Sequence, residues 1–161
     1  MKRLHRTICL LLALAALCTL AACGGKPAEE PVRVDCAALY EQILALPDLP
    51  GMLPVSEKRI RNYYGIDPAA CRQLILAVSD DGLRVDEIWL IEAGSEEAAE
   101  ELVRLAQSRL AQITAENENY LPEQAAVARA GQVLRSGVNM ALFVSPKAEE
   151  MAALYRRATG G

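Results

Sequence analysis

Three rhythms of apolar residues run along this chain, and each predicts a different kind of element. The first is a continuous run, residues 8–20, interrupted only by Thr19; it follows Lys2, Arg3 and Arg6 and gives way to Gly24-Gly25-Lys26. The second is helical spacing. Asp35 stands as an N-cap, and Cys36, Leu39, Tyr40, Ile43 and Leu44 then share one face until Pro47 stops the helix. Ser56 opens a short helix that ends at Tyr64 before Gly65, and Ser95 opens a long one reaching about Asn117. Along that long helix Ala99, Leu102, Val103, Ala106, Leu110 and Ile113 form a stripe, and Ala148, Met151, Ala152 and Tyr155 mark a last helix.

The third rhythm is that of strands. Residues 73–79 and 84–93 are rich in Leu, Ile and Val and are joined through Asp80-Asp81-Gly82, a hairpin signal. Residues 126–134 and 138–145 read as a second hairpin about Ser136-Gly137, after Tyr120-Leu121-Pro122 has broken the long helix. Pro47, Pro50, Gly51 and Pro54 are read as a rigid loop. The predicted order is α-α-ββα-ββα, a single α+β domain over residues 35–159 with a four-stranded, mainly antiparallel sheet of two hairpins packed with helices. Ile88 and Leu90 point opposite to Trp89 and Ile91, and Met140, Leu142 and Val144 opposite to Ala141 and Phe143, so both sheet faces read as apolar. If the two helices that follow the hairpins cover one face, the N-terminal helices or a partner must cover the other.

The opening run closes on Leu20-Ala21-Ala22-Cys23, which has the layout of a lipobox. Positive charge, an apolar stretch too short to span a bilayer and small residues before the cysteine occur in the order of a cleavable export signal, residues 1–22. Cys23 is then the lipidated first residue of the exported protein; an ordinary secretory signal, or an uncleaved anchor, with a chance Leu-Ala-Ala-Cys is the alternative. Two or more acyl chains hold firmly, since each buried methylene adds about 0.8 kcal/mol and one chain binds only reversibly. Residues 23–34 make the lipidated cysteine and a flexible tether, whose Gly-Pro-charged part would reach roughly 30 Å at about 3.1 Å per residue.

Loss of the signal changes the charge balance. It carries three of the 17 basic residues and none of the 21 acidic ones, which takes the formal charge from −4 to −7. A chain that acidic is a poor partner for nucleic acid and has no electrostatic pull toward anionic lipid, so the membrane is met through the anchor. The single histidine, His5, lies in the signal too, which removes Ser-His-Asp, Cys-His and His-zinc chemistry from the exported part. Of five cysteines, Cys36 and Cys71 are then the only candidate disulfide pair. A bond would add about 3 to 4 kcal/mol in the chain-entropy model, but without a dense cysteine framework two buried free thiols are the favoured reading.

Few residues offer chemistry. Asp80, Asp81, Asp86 and Glu87 lack the spacing of a calcium loop, and turn formation accounts for the first two. Glu96, Glu97, Glu100 and Glu101 suit the first turns of a helix and lie off its apolar stripe. Lys58, Arg59 and Arg61 beside Tyr63 form the one basic-aromatic cluster, a candidate interaction surface, with a solvated helix face as the plainer account. Trp89 joins that candidate surface only if its strand face is open; core packing is simpler. No phosphate loop, CxxC pair or nucleophile elbow is present, and no catalytic residue, metal ligand or cofactor is assigned.

Tyr40, Tyr63-Tyr64-Gly65-Ile66-Asp67, Asp86-Glu87-Ile88 and Tyr120-Leu121-Pro122 together resemble a bacterial lipoprotein family of unknown function, domain-of-unknown-function family 4358, over about residues 35–158. The resemblance implies the same lipobox, tether and domain, and an anchor in the outer leaflet of the cell membrane of a Gram-positive anaerobe. It implies no activity. The expected function is therefore a lipid-anchored extracytoplasmic binding or interaction module of the cell envelope, non-enzymatic, meeting an envelope protein or wall polymer. The alternatives are a hydrolase using carboxylates such as Asp86, Glu87 or Glu92, which needs two acids in a cleft with one of them buried, and a small-ligand carrier with a pocket at Tyr64 or Trp89.

Overall fold

A computed structural model of the protein describes residues 33–161. The expected export signal, Cys23 and the part of the expected tether before Arg33 lie outside the described residues. Eleven elements follow. They are α1 (Cys36–Leu44), β1 (Met52–Pro54), α2 (Glu57–Tyr63), a 3-10 turn (Pro68–Ala70), β2 (Cys71–Ser79), β3 (Glu87–Ala93), α3 (Glu96–Asn117), α4 (Pro122–Arg129), β4 (Gln132–Ser136), β5 (Asn139–Val144) and α5 (Ala148–Ala158). The strands form one sheet in the order β1-β2-β3-β5-β4, every neighbouring pair antiparallel.

Local chemistry sets several of these boundaries. The Asp35 carboxylate accepts from the Ala38 N–H at 3.0 Å and the Ser95 hydroxyl from the Ala98 N–H at 3.2 Å, closing the open first turns of α1 and α3. Ser56 sits at the N-cap of α2 without a side-chain cap bond. Gly65, at φ +69°, takes the left-handed turn after α2 that other residues resist. In the first hairpin loop Asp81 accepts from the Leu83 N–H at 2.9 Å, the turn role expected of it.

Two elements depart from the sequence reading. Met52–Pro54, read as loop, is a fifth strand on the sheet edge: Leu53 pairs with Val78, and a proline is tolerated at an edge because it withholds a hydrogen bond only at the strand's limit. Residues 126–129, read as the start of a strand, belong to α4; Pro122 is pre-set for a first helical position and the alanine-rich segment behind it prefers the helix. The second hairpin consequently starts only at Gln132.

The two apolar faces are both filled. Trp89, Ile91, Leu76, Met140, Leu142 and Val144 pack under Ala99, Leu102, Ala106 and Ile113 of α3, with Ile60 and Tyr64 from the α2 end and Ala128 of α4 in the same layer. Ile88, Leu90, Ala141 and Phe143 meet Leu39 and Ile43 of α1 and Met151, Ala152 and Tyr155 of α5 on the other. The helices that follow the two hairpins thus lie on opposite faces rather than together, and the result is a three-layer sandwich with every residue of β3 and β5 buried. Among the described residues no helix is long and apolar enough to cross a membrane.

Candidate functional site

At the end of the sheet where β2 turns into β3, a cleft of about 220 Å³ opens between the 79–86 loop, the end of α2 and the C-terminal half of α3. Arg59 and Tyr64 wall one side, Asp81, Arg84, Asp86 and Glu87 come from the loop and strand start, and Arg109, Glu116 and Asn117 come from α3. Another depression, of about 420 Å³ between α4 and the start of α5, is mainly apolar, and its polar side chains are already taken up within the protein, Gln132 donating to Glu149 and Ser145 to Asp86.

The cleft is built on two buried carboxylates. Glu87 is 1 % exposed and points to the α3 face, where its oxygens accept from the Trp89 indole N–H at 2.7 Å and from Arg109 Nε and Nη2 at 3.1 and 2.8 Å. Asp86, 2 % exposed, points to the opposite face and accepts from Arg84 Nε at 2.9 Å and from the Ser145 hydroxyl at 2.8 Å. Burial works against the charge of Arg109, but its hydrogen bond and attraction to Glu87 more than restore it, so the guanidinium is held charged above its ordinary range. The Asp86 hydrogen bond likewise raises Arg84.

Above this pair the aromatic rings are stacked with cations. Arg109 lies 5.4 Å from the Tyr63 ring centre and 5.3 Å from that of Tyr64, and Arg59 lies 5.5 Å from the Tyr63 ring. Tyr64 meets Trp89 edge-on at 5.7 Å. The Tyr64 hydroxyl is buried and has no hydrogen-bond partner. Burial, with Glu87 behind it, pushes that phenol up to about 12, so it keeps its proton and is a donor without an acceptor.

The basic-aromatic cluster expected at residues 58–63 is divided by the helix. Arg59 and Tyr63, four residues apart, come together beside the cleft, while Lys58 and Arg61 share another side of α2 with Glu57 and Asn62. Lys58, Arg59, Arg61 and the half-exposed Tyr63 are on the surface. Trp89 is not: at 1 % exposure it is a core residue, because both faces of its strand are covered, and it is withdrawn from the interaction surface. Glu92, the third acid considered for catalysis, lies at the far end of the sheet, where it accepts from Gln73 Nε2 at 2.6 Å while the same amide holds the Val34 carbonyl at 2.8 Å. Its role is to fasten the segment that precedes α1. Of the acids at the start of α3, Glu96 and Glu100 meet Arg135 and Glu101 meets Arg104, all at the solvated surface. Among the described residues no group of three or more acidic, histidine or cysteine side chains is placed to hold a metal ion.

Cys36 and Cys71 are free thiols on opposite faces of the sheet, Cys36 packed with α1 and Cys71 against the α3 layer. Burial, with Glu92 and Asp35 adding to it, pushes Cys36 up to about 11, and burial raises Cys71 as well. The thiolate is the reactive form, so the fully buried Cys36 should alkylate many-fold more slowly than half-buried Cys71 in the folded protein, and at a similar rate once unfolded. Iodoacetamide labelling read by peptide mass checks this; a native disulfide would leave both unlabelled.

With the geometry in place, residues 46–145 match the model of the family described as Domain of unknown function (DUF4358), well over half of the chain. The protein belongs to the DUF4358 family. No curated protein and no solved structure matches the chain. The matched span holds the whole five-stranded sheet of this DUF4358 protein and every residue that lines the cleft, whereas α1 and α5, which cover the second face, lie outside it.

Proposed function

We propose that this DUF4358 protein is a lipid-anchored extracytoplasmic lipoprotein that serves as a non-enzymatic binding module of the cell envelope, and that the cleft is its binding site. The observation that carries this reading is the division of polar groups there. The buried carboxylates are already saturated by donors, while Arg59 has no carboxylate partner among the described residues and the Tyr64 hydroxyl has no acceptor. Groups left unpaired in a concave site are groups for a ligand. The segment leading to α1 is fastened at Gln73 and Glu92, whereas the cleft begins at Val78 and Glu87, roughly 17 Å further along the strands at about 3.3 Å per residue, so the cleft lies at the end of the sheet away from Val34.

The carboxylate-hydrolase reading has one observation in its favour, acids in a cleft with two of them buried. Against it, Asp86 and Glu87 point to opposite sheet faces and each is clamped by an arginine, so the two do not converge on one substrate bond.

Two measurements test the binding module. Cys23→Ala should abolish incorporation of radiolabelled palmitate and release the protein from the membrane fraction. Arg59→Glu should leave anchoring intact and lower co-sedimentation of the protein with purified wall polymer, or its crosslinking to envelope proteins in cells, several-fold. Unchanged retention in both assays, or equal acylation of both cysteine versions, would end this reading.

A further inference from the structure

We propose that the cleft takes a small zwitterion, an α-amino acid free or at the end of a short peptide, with its carboxylate toward Arg59 and Tyr64 and its ammonium toward Asp81 and Glu116. This rests on the binding-module reading and names its ligand class. Some of the charges in the cleft are already spent. Arg84 and Arg109 are paired with Asp86 and Glu87 at 2.9 and 2.8 Å and offer nothing further as free cations. Arg59, exposed and stacked on Tyr63 at 5.5 Å, has no ion-pair partner among the described residues. Asp81 accepts from the Leu83 N–H at 2.9 Å and Glu116 from Gln112 Nε2 at 2.7 Å, and neither is in a salt bridge, Asp81 acting on Arg84 only at longer range. Free positive and free negative charge therefore face one concavity.

A second observation points to a ligand independently. Tyr64 is 6 % exposed, lines the cleft and carries the orphaned hydroxyl, the one tyrosine hydroxyl among the described residues that is both buried and without a partner. Tyr155, equally buried, gives its hydroxyl to the Asn139 carbonyl at 2.8 Å, which is how such a group is ordinarily satisfied. A ligand carboxylate reaching toward Arg59 and Tyr64 would supply the missing acceptor once the side chains that close over that hydroxyl move aside.

Other ligand chemistries fit less well. An inorganic anion would meet one free cation and two free acids, and a divalent cation would meet the Arg59 guanidinium. A site of about 220 Å³ is below the roughly 300–1,000 Å³ of drug-sized ligand pockets, which limits the occupant to amino-acid scale. Two free acids against one free cation favour an amino acid with a second ammonium. L-Lysine is the probe.

Trp89 is the only tryptophan of the chain; it bonds Glu87 and touches Tyr64, so its fluorescence reports on the cleft floor. L-Lysine titrated into the full chain in detergent should shift that emission saturably, with calorimetry giving the same affinity. Arg59→Gln should weaken binding about tenfold, which is about 1.4 kcal/mol. Lysine methyl ester, which lacks the carboxylate, should bind as weakly to the unaltered protein. Tyr64→Phe should also weaken lysine severalfold without destabilising the fold, since it removes a hydroxyl that nothing satisfies. No saturable signal, or an ester that binds as well as lysine, overturns the zwitterion. If lysine fails while Arg59→Glu still loses wall or envelope retention, the ligand class is wrong and the binding module stands; if retention is unaffected as well, both fall.

Discussion

Arg109→Met is expected to lower the unfolding free energy by about 3 kcal/mol, at the lower end of the roughly 3–5 kcal/mol seen when one partner of a buried ion pair is removed. The lower end applies because the Arg109 side chain is 14 % exposed and its carboxylate partner 2 %, so water reaches one side of the pair. Methionine keeps the length and apolar bulk of the stem, so the loss isolates the guanidinium. What is lost is the fork on Glu87 at 2.8 and 3.1 Å and the stacking on Tyr63 and Tyr64, while a carboxylate stays behind in the core. The double variant with Glu87→Gln should recover part of the stability, because the amide carries no charge to strand and its oxygen can still accept the Trp89 indole N–H that Glu87 holds at 2.7 Å. Urea unfolding of the parent, the two single variants and the double variant measures this. A single variant as stable as the parent, or a double variant that simply adds the two losses, would show that the pair does not organise this end of the sheet.

That pair also shows what sequence can and cannot reveal. Period-two alternation at Ile88, Trp89, Leu90 and Ile91 specified a strand buried on both sides, and the clusters on the two faces divide those residues as the alternation requires. It could not say which helix goes to which face, because α3 and α5 both carry an apolar stripe that would fit either. Met52–Pro54 was illegible for a different reason: three residues and a proline carry no periodicity, and only the open edge of β2 makes them a strand. Residues 126–134 mix alanine, valine and leucine densely enough to read as a strand, and the helical preference of Pro122 and the alanines decided half of that segment.

The cleft was partly legible. Asp86, Glu87, Arg59 and Tyr64 stand out in the sequence, but as members of separate features, since a hairpin strand and a helix end more than 20 residues earlier have no sequence relation. Arg109 was missed although a signal existed: it stands at helical spacing with Leu102, Ala106 and Ile113, all buried, so a charged side chain was aimed at the core and required a buried acid opposite. The same logic separates Arg59 from Lys58 and Arg61. Only the residue four before Tyr63 can share its face, and that residue lines the cleft while the other two do not.

Phe143→Ala should cost about 3–5 kcal/mol, the range for removing a large buried aromatic, because nothing near it can collapse into the space. Phe143 is fully buried on β5, and its ring meets Tyr155 of α5 at 6.4 Å, edge to face. Its neighbours in that layer, Ile88, Leu90 and Ala141, are fixed on the two central strands, so the cavity stays open unless α1 or α5 moves. These two helices form most of the cover of this face, with Val34, Leu46 and Leu49 from the segments flanking α1, and each holds it by one short apolar stripe. The loss should therefore fall unevenly. Amide hydrogen exchange is expected to speed most in α1 and α5 and least in α3, which is packed on the opposite face against Trp89 and Met140. Uniform acceleration across all helices would mean that the two layers unfold as one unit, and that the second face is not the separately held layer its packing describes.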